Sequence, residues 1–422
     1  MGGGLLQLVA YGAQDVYLTG NPQITFFKAV YRRHTNFALE AIEQTFNGNP
    51  GFGSRVTCQI SRNGDLINRV YLQLRLTGGK YCKFFGLRVM NYVEIEIGGQ
   101  RIDKHYSHWL YIWNELSLPV GKHQGYYDMV GAYGGNVEGD TNGNGNIKKT
   151  LYIPLEFWFC RNVGLALPLI ALQYHEVKIN INFESETVLT GNLGNGKPTF
   201  NASLWVDYIF LDTDERRRFA QLSHEYLIEQ LQFTGQEAVG NTSIKPKLNF
   251  NHPCKELVWF ITNSANNTDN WFNYTTVINN IVDGDLSHAS YRNKLMQSGA
   301  YQPDNYPSNP IGSAKLVLNG NDRFAARDGR YFNLIQPYQH HENIPSNAGI
   351  NVYSFALKPE EHQPSGTLNM SRIDTAVINI DNIFSNTGIG SYELSKANLF
   401  VYATNYNVLR ILSGMGGLAY SN

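Results

Sequence analysis

Two groups of side chains in this 422-residue sequence have types and spacing that could bind a metal. His105 and His108 bracket Tyr106-Ser107, and His340-His341-Glu342 places two imidazoles beside a carboxylate. A zinc site takes three or four such ligands, from motifs such as H-E-x-x-H or paired C-x-x-C, and neither group has a partner of that kind. The residues therefore imply no metal and no cofactor. Glu94 and Glu96 share a strand face and resemble a carboxylate pair. A glycosidase, however, needs its carboxylates facing each other across a sugar at about 5 to 10 Å, and alternate residues on the polar side of a strand are ordinary solvated positions. The chain has no G-x-S-x-G elbow, no Walker loop and no strand-to-helix G-x-G-x-x-G, since Gly2-Gly3-Gly4 precedes any strand. No catalytic residue is expected, and the chain does not read as an enzyme.

Modification chemistry is also thin. Cys58, Cys82, Cys160 and Cys254 are widely scattered without a C-x-x-C pair, and three lie in or beside apolar runs. They read as buried free thiols of a protein assembled in a reducing compartment. Asn201, Asn241, Asn266, Asn273 and Asn369 begin N-x-S/T sequons, which an Asn-rich chain produces by chance. Asn266 and Asn273, in a long loop, are kept as glycosylation candidates.

Lys and Arg number 34 against 35 Asp and Glu, so no field steers the chain onto phosphate or anionic lipid. The one basic cluster, Arg216-Arg217-Arg218, follows Asp212, Asp214 and Glu215 and is locally neutralised. Direct nucleic-acid binding is not expected. The N-terminus lacks the basic-then-apolar pattern of a secretory signal, Leu6 stands where a myristoylation motif wants Ser or Thr, and no apolar run reaches 18 residues. Only 16% of residues are charged while 42% are hydrophobic, a surface that tolerates extensive association.

The elements that must position these residues are strands. Val70, Leu72, Leu74 and Leu76 alternate with Tyr71, Gln73 and Arg75; Val93, Ile95 and Ile97 with Glu94 and Glu96; Val177, Ile179 and Ile181 with Lys178, Asn180 and Asn182. Ala314, Leu316 and Leu318, then Ala376, Ile378 and Ile380, repeat the pattern later in the chain. Period-two alternation marks half-buried strands. Asn47-Gly48, Asn63-Gly64, Gly98-Gly99 and Asn319-Gly320 supply the positive φ of tight hairpins. Helical spacing is confined to Ile24, Phe27, Val30 and Tyr31, to Tyr106 through Leu116, and to a short helix opened by Asp212 with Glu215 as a capping box. Gly131 to Asn146 and Asn263 to Pro310 read as long surface loops.

The two halves echo each other in order. Glu43-Gln44-Thr45-Phe46-Asn47-Gly48 returns as Glu229 to Gly235, Ile95 to Arg101 as Leu316 to Arg323, Tyr174 to Ile181 as Ile373 to Ile380, and Leu204 to Tyr208 as Leu399 to Ala403. An offset of about 190 to 220 residues exceeds any solenoid period and means a duplicated domain. With no alternation of strands and amphipathic helices, the fold class is all-β, two tandem antiparallel sandwiches or jelly rolls.

At this point the residues resemble a family. Gln7-Leu8-Val9-Ala10-Tyr11-Gly12 through Asn21-Pro22-Gln23-Ile24-Thr25-Phe26-Phe27-Lys28, then Tyr31-Arg32-Arg33-His34-Thr35-Asn36-Phe37, is similar to the N-terminal signature of the major capsid proteins of large icosahedral double-stranded DNA viruses, most of all the algal-virus type. Gln59 to Ile67, Glu96 to Tyr106, Gly164 to Val177, Trp205 to Asp212 and Tyr406 to Tyr420 extend the resemblance over nearly the whole chain. It implies a double jelly roll of eight-stranded barrels, with an inward-facing segment at 1–26, a first barrel at 27–211, a linker with a short helix at 212–226 and a second barrel at 227–422. It also implies a homotrimer of hexagonal outline tiling an icosahedral shell, minor capsid and penton proteins as partners, an internal membrane nearby, and sugar on outer loops. The expected location is the outer shell of a virion assembled in host cytoplasm. In this reading Tyr106 to Leu116 and aromatic-rich loops make trimer contacts, and Leu5 to Phe37 faces the interior. From the residues alone, the alternative is a tandem β-sandwich that binds carbohydrate through exposed Tyr and Trp.

Overall fold

The computed structural model describes residues 3–10, 12–31, 34–136, 148–190, 198–263, 271–276, 309–385 and 393–420. It separates into two compact units, Met1–Asn36 and Phe37–Asn422.

The first unit carries helix α1 (Gly3–Val9) and a single turn at Val16–Thr19. The helix expected from Ile24, Phe27, Val30 and Tyr31 does not form, and all four side chains are exposed. A short amphipathic pattern becomes a helix when its apolar face is buried, and here it is not.

The second unit holds two pairs of antiparallel sheets. Eight strands build the first pair: β1 (Phe37–Gln44), β2 (Arg55–Gln59), β3 (Leu66–Thr77), β4 (Met90–Ile97), β5 (Gln100–Tyr106), β6 (Lys148–Pro154), β7 (Val177–Phe183) and β8 (Thr199–Leu211). They order as β1-β8-β3-β6 facing β2-β7-β4-β5. Eight more build the second pair: β9 (His224–Phe233), β10 (Lys247–Leu248), β11 (Pro253–Asn263), β12 (Ser313–Leu318), β13 (Asn321–Asp322), β14 (Asn351–Ser354), β15 (Ala376–Asp381) and β16 (Ala397–Leu412). Their order is β9-β16-β11-β14 facing β10-β15-β12-β13, the first order with every index raised by eight. Each pair is a jelly roll, and all four sequence echoes fall on equivalent strands.

Alternation places the core as expected. Val70, Leu72, Leu74 and Leu76 of β3 and Val93, Ile95 and Ile97 of β4 are buried, each removed side chain contributing about 1.5–3 kcal/mol. The hairpins β4–β5 and β12–β13 turn on Gly98-Gly99 (φ 57° and 85°) and Asn319-Gly320 (φ 48° and 80°), the paired positive φ that matches strand twist.

Among the described residues the longest helices between the strands are α2 (Ser107–Ser117), α3 (Val120–Val130) and α4 (Thr213–Gln221), the last lying between the barrels in sequence. Asp212 caps α4 through the Thr213 amide at 2.7 Å. Glu215 does not reach back as a capping box would; it pairs with Arg218 at 3.2 Å, while Arg216 meets Asp65 at 3.0 Å. None of the four cysteines is joined in a disulfide, and burial pushes the Cys58 thiol up to about 12.

Candidate functional site

Helix α2 follows β5 directly, and its sequence, Ser-His-Trp-Leu-Tyr-Ile-Trp-Asn-Glu-Leu-Ser, is apolar on nearly every side. A helix of that kind must be enclosed. The second barrel encloses it. Trp109 packs on Tyr402 at 5.7 Å, Tyr111 stacks on Phe272 at 4.5 Å, and His108 lies among Phe260, Phe400 and Trp271 at 5.2 to 5.5 Å. The expectation that this segment contacts other copies is therefore corrected: it is the wedge between the two barrels of one chain, and its large side chains are spent inside.

The sequence-nominated histidines go to separate places. His105 pairs with Asp103 at 2.9 Å and stacks on Phe157. His108 shares a 2.7 Å hydrogen bond with the Tyr274 hydroxyl, and burial holds it down to about 3, hence neutral. His340 bonds the Leu357 carbonyl, whereas His341 turns inward between Glu256 (3.0 Å) and Glu360 (2.8 Å). Among the described residues, no group of three or more His, Cys, Asp or Glu side chains is placed to hold a metal ion. Glu94 differs from the solvated position expected of it. It is buried, with Arg55 at 2.6 Å and the Asn180 amide at 3.3 Å, and that amide also reaches Glu96 at 3.3 Å. The pair ties strands β2, β4 and β7 together instead of opposing a substrate.

A set of charges that sequence reasoning missed lies at the junction of the barrels. The register of β11 against β16 slips between Cys254 and Glu256, a bulge that takes Lys255 out of strict alternation. Its ammonium is fully buried, 2.7 Å from Glu229 and 2.6 Å from the Pro359 carbonyl. The other Glu229 oxygen takes Arg161 of the first barrel at 3.2 Å, and that guanidinium lies 3.7 Å over Trp113. Burial alone would raise the Glu229 carboxyl, but His362, Lys255 and Arg161 bring it down to about 2. Burial likewise pulls His341 down, and the carboxylates of Glu256 and Glu360 outweigh it, holding the imidazolium up to about 9. Paired and hydrogen-bonded, such buried charges define one docking geometry for the two barrels. The signal was present in Lys255-Glu256, two adjacent charges inside an otherwise apolar strand.

The loop residues also divide. Asn266 lies outside the described residues, as do 137–146 of the first expected loop and 264–270 and 277–308 of the second. Asn273 does not sit on an outer surface: it is 3% exposed, its Oδ1 accepting from the Thr275 amide and hydroxyl at 3.0 and 2.7 Å. With Phe272 and Tyr274 it plugs the space beside α2, because three consecutive ring-bearing or amide side chains bury well against an aromatic wedge.

Comparison with known proteins agrees with this architecture. The model of a major capsid protein N-terminus matches residues 25–212, and that of the large eukaryotic DNA virus major capsid protein matches residues 215–417. The chain is 52% identical to the major capsid protein of Pyramimonas orientalis virus and 47% identical to that of Paramecium bursaria Chlorella virus 1, each over 100% of both chains. Among solved structures it resembles a chain of the PBCV-1 virus capsid with a TM-score of 0.77 and 41% identity, over 94% of this chain and 100% of that one. Family models on both barrels, relatives matched end to end and a shared double jelly roll place the chain in the family of large eukaryotic DNA virus major capsid proteins.

Proposed function

We propose that the chain acts by self-association alone: three copies form a capsomer of hexagonal outline, and capsomers tile an icosahedral shell. The repetition of one strand order in both barrels carries this reading. A trimer of two-barrel chains presents six similar flanks, so a threefold particle can occupy a sixfold lattice position. No substrate chemistry is assigned to it. The segment at 1–26 faces the shell interior, towards an internal membrane and minor capsid and penton proteins, and assembly takes place in host cytoplasm. Asn266 remains the candidate for sugar on an outer loop. Light scattering with negative-stain microscopy tests the core of this: hexagonal particles of three chains are expected. A stable monomer that binds glycans would instead restore the carbohydrate-binding reading.

A further inference from the structure

The duplicated barrels are not equally covered. In the second barrel, the outer face of the β9-β16-β11-β14 sheet presents Phe233, Tyr402, Val258 and Phe260, and the last three lie in the core cluster shared with the first barrel. Two segments of the first barrel cover that face. One is α2, directly after β5; the other begins just after β6 and brings Arg161 to Glu229.

Among the described residues, no such cover lies over the equivalent outer face of the first barrel, where Tyr152 is exposed. Across the β1-β8-β3-β6 sheet, Trp205 pairs with Tyr71 and Ser203 with Gln73, which pairs in turn with Tyr152. Trp205 and Tyr71 stack at 6.4 Å and 3°. Gln73 fixes the group in place, accepting from Trp205 Nε1 at 3.0 Å and Ser203 at 3.2 Å and donating to Tyr152 at 3.1 Å. Tyr152 is 39% exposed, and with Arg69 and Asp207 it lines an open recess of about 660 Å³ that Trp113 and Ser117 of α2 and Glu360 also line. This is a rigid aromatic platform with hydrogen-bonding groups already set, the make-up of an interface core.

The covering segments also have counterparts, at the same topological places in the second barrel. After β13 comes a helical stretch at 331–340, and after β14 the stretch at 357–362. Unlike α2, these counterparts leave large apolar side chains outside: Tyr338 is 76% and Leu357 72% exposed, and the bond from His340 to the Leu357 carbonyl holds the two stretches side by side. An open aromatic face and a cover with apolar side chains still exposed thus exist on opposite barrels of the same chain.

We propose that the Tyr71–Trp205–Tyr152 face of the first barrel is the docking surface for a second copy of this chain, covered by that copy's segments 331–340 and 357–362. The contact repeats between chains the one made within the chain. It is heterologous, face to cover, so copies follow one another in one sense around a ring. The inference rests on the self-association reading and names its surface.

The test compares the wild-type chain with two double variants, Tyr71→Glu with Tyr152→Glu, and Tyr338→Glu with Leu357→Glu, by native mass spectrometry and light scattering. Each variant should weaken association by about 30-fold or more, the cost of losing a hot-spot residue. An equimolar mixture of the two should give a two-chain particle that does not close, because one intact face meets one intact cover. Circular dichroism verifies folding. Should the face variant misfold, amide exchange on the wild type replaces it, with slower exchange in 331–340 and 357–362 expected on association. Wild-type particles with folded variants that associate within twofold of wild type, or with exchange unchanged in those segments, would overturn the surface and leave the self-association reading standing. A wild-type chain that remains monomeric overturns that reading first, and the surface with it.

Discussion

Buried charge sets the pH response of single residues. His341 is held up to about 9, above the ordinary histidine value, so the stability it contributes is fully present below about pH 6.5 and is lost as pH rises through 9. Glu229 is brought down to about 2, so its contribution is present above about pH 4.5 and is lost as pH falls towards 2. Urea-unfolding midpoints should therefore be highest between these limits and decline on both sides. His341→Ala should cost about 3–5 kcal/mol, because it leaves Glu256 buried without its cation, and should flatten the alkaline decline. An unchanged alkaline limb in that variant would mean that another group carries it.

At the level of elements, the joints matter more than the strands. Gly98 has φ 57°, and a Cβ there would stand 2.3 Å from the His175 ring, which itself meets the Gly416 carbonyl at 2.9 Å. Gly98→Ala should cost about 1–3 kcal/mol through the left-handed backbone and the clash together, read as a lower unfolding midpoint. Trp109 in α2 is 1% exposed between Trp113 and Tyr402. Trp109→Ala should cost about 3–5 kcal/mol, since an enclosed wedge cannot collapse around the space it loses. The α2 helix itself was legible from its run of aromatic and aliphatic residues. What it touches was not, because an apolar helix fits equally well against its own chain or another copy.

For the whole molecule, the largest core cluster decides cooperativity. It runs from Val70, Leu72 and Trp109 of the first barrel to Ile228, Val258, Phe260 and Leu409 of the second. The two barrels should unfold in one calorimetric transition, with equal calorimetric and van't Hoff enthalpies, although each has the strand count of an independent domain. Two resolved transitions would show the junction to be weaker than its burial indicates.

The sequence by itself determined the all-β class, the strand faces, the hairpin turns and the duplication, because these depend on alternation and on local backbone preference. Val93, Ile95 and Ile97 point inward whatever surrounds them, and Gly98-Gly99 turns wherever it is placed. It also carried the family resemblance, in long runs at both ends and the middle. Only the tertiary structure decided which residues meet across the junction. Lys255 finds Glu229 through a bulge, Arg161 arrives from the other barrel, and Asn273 turns from an expected surface loop into the core. Pairings across the junction join residues 68 positions apart, as Arg161 and Glu229 are, or 231, as Glu115 and Ser346 are. No periodicity records them, because side-chain type sets what a residue can pair with and the fold sets what lies within reach.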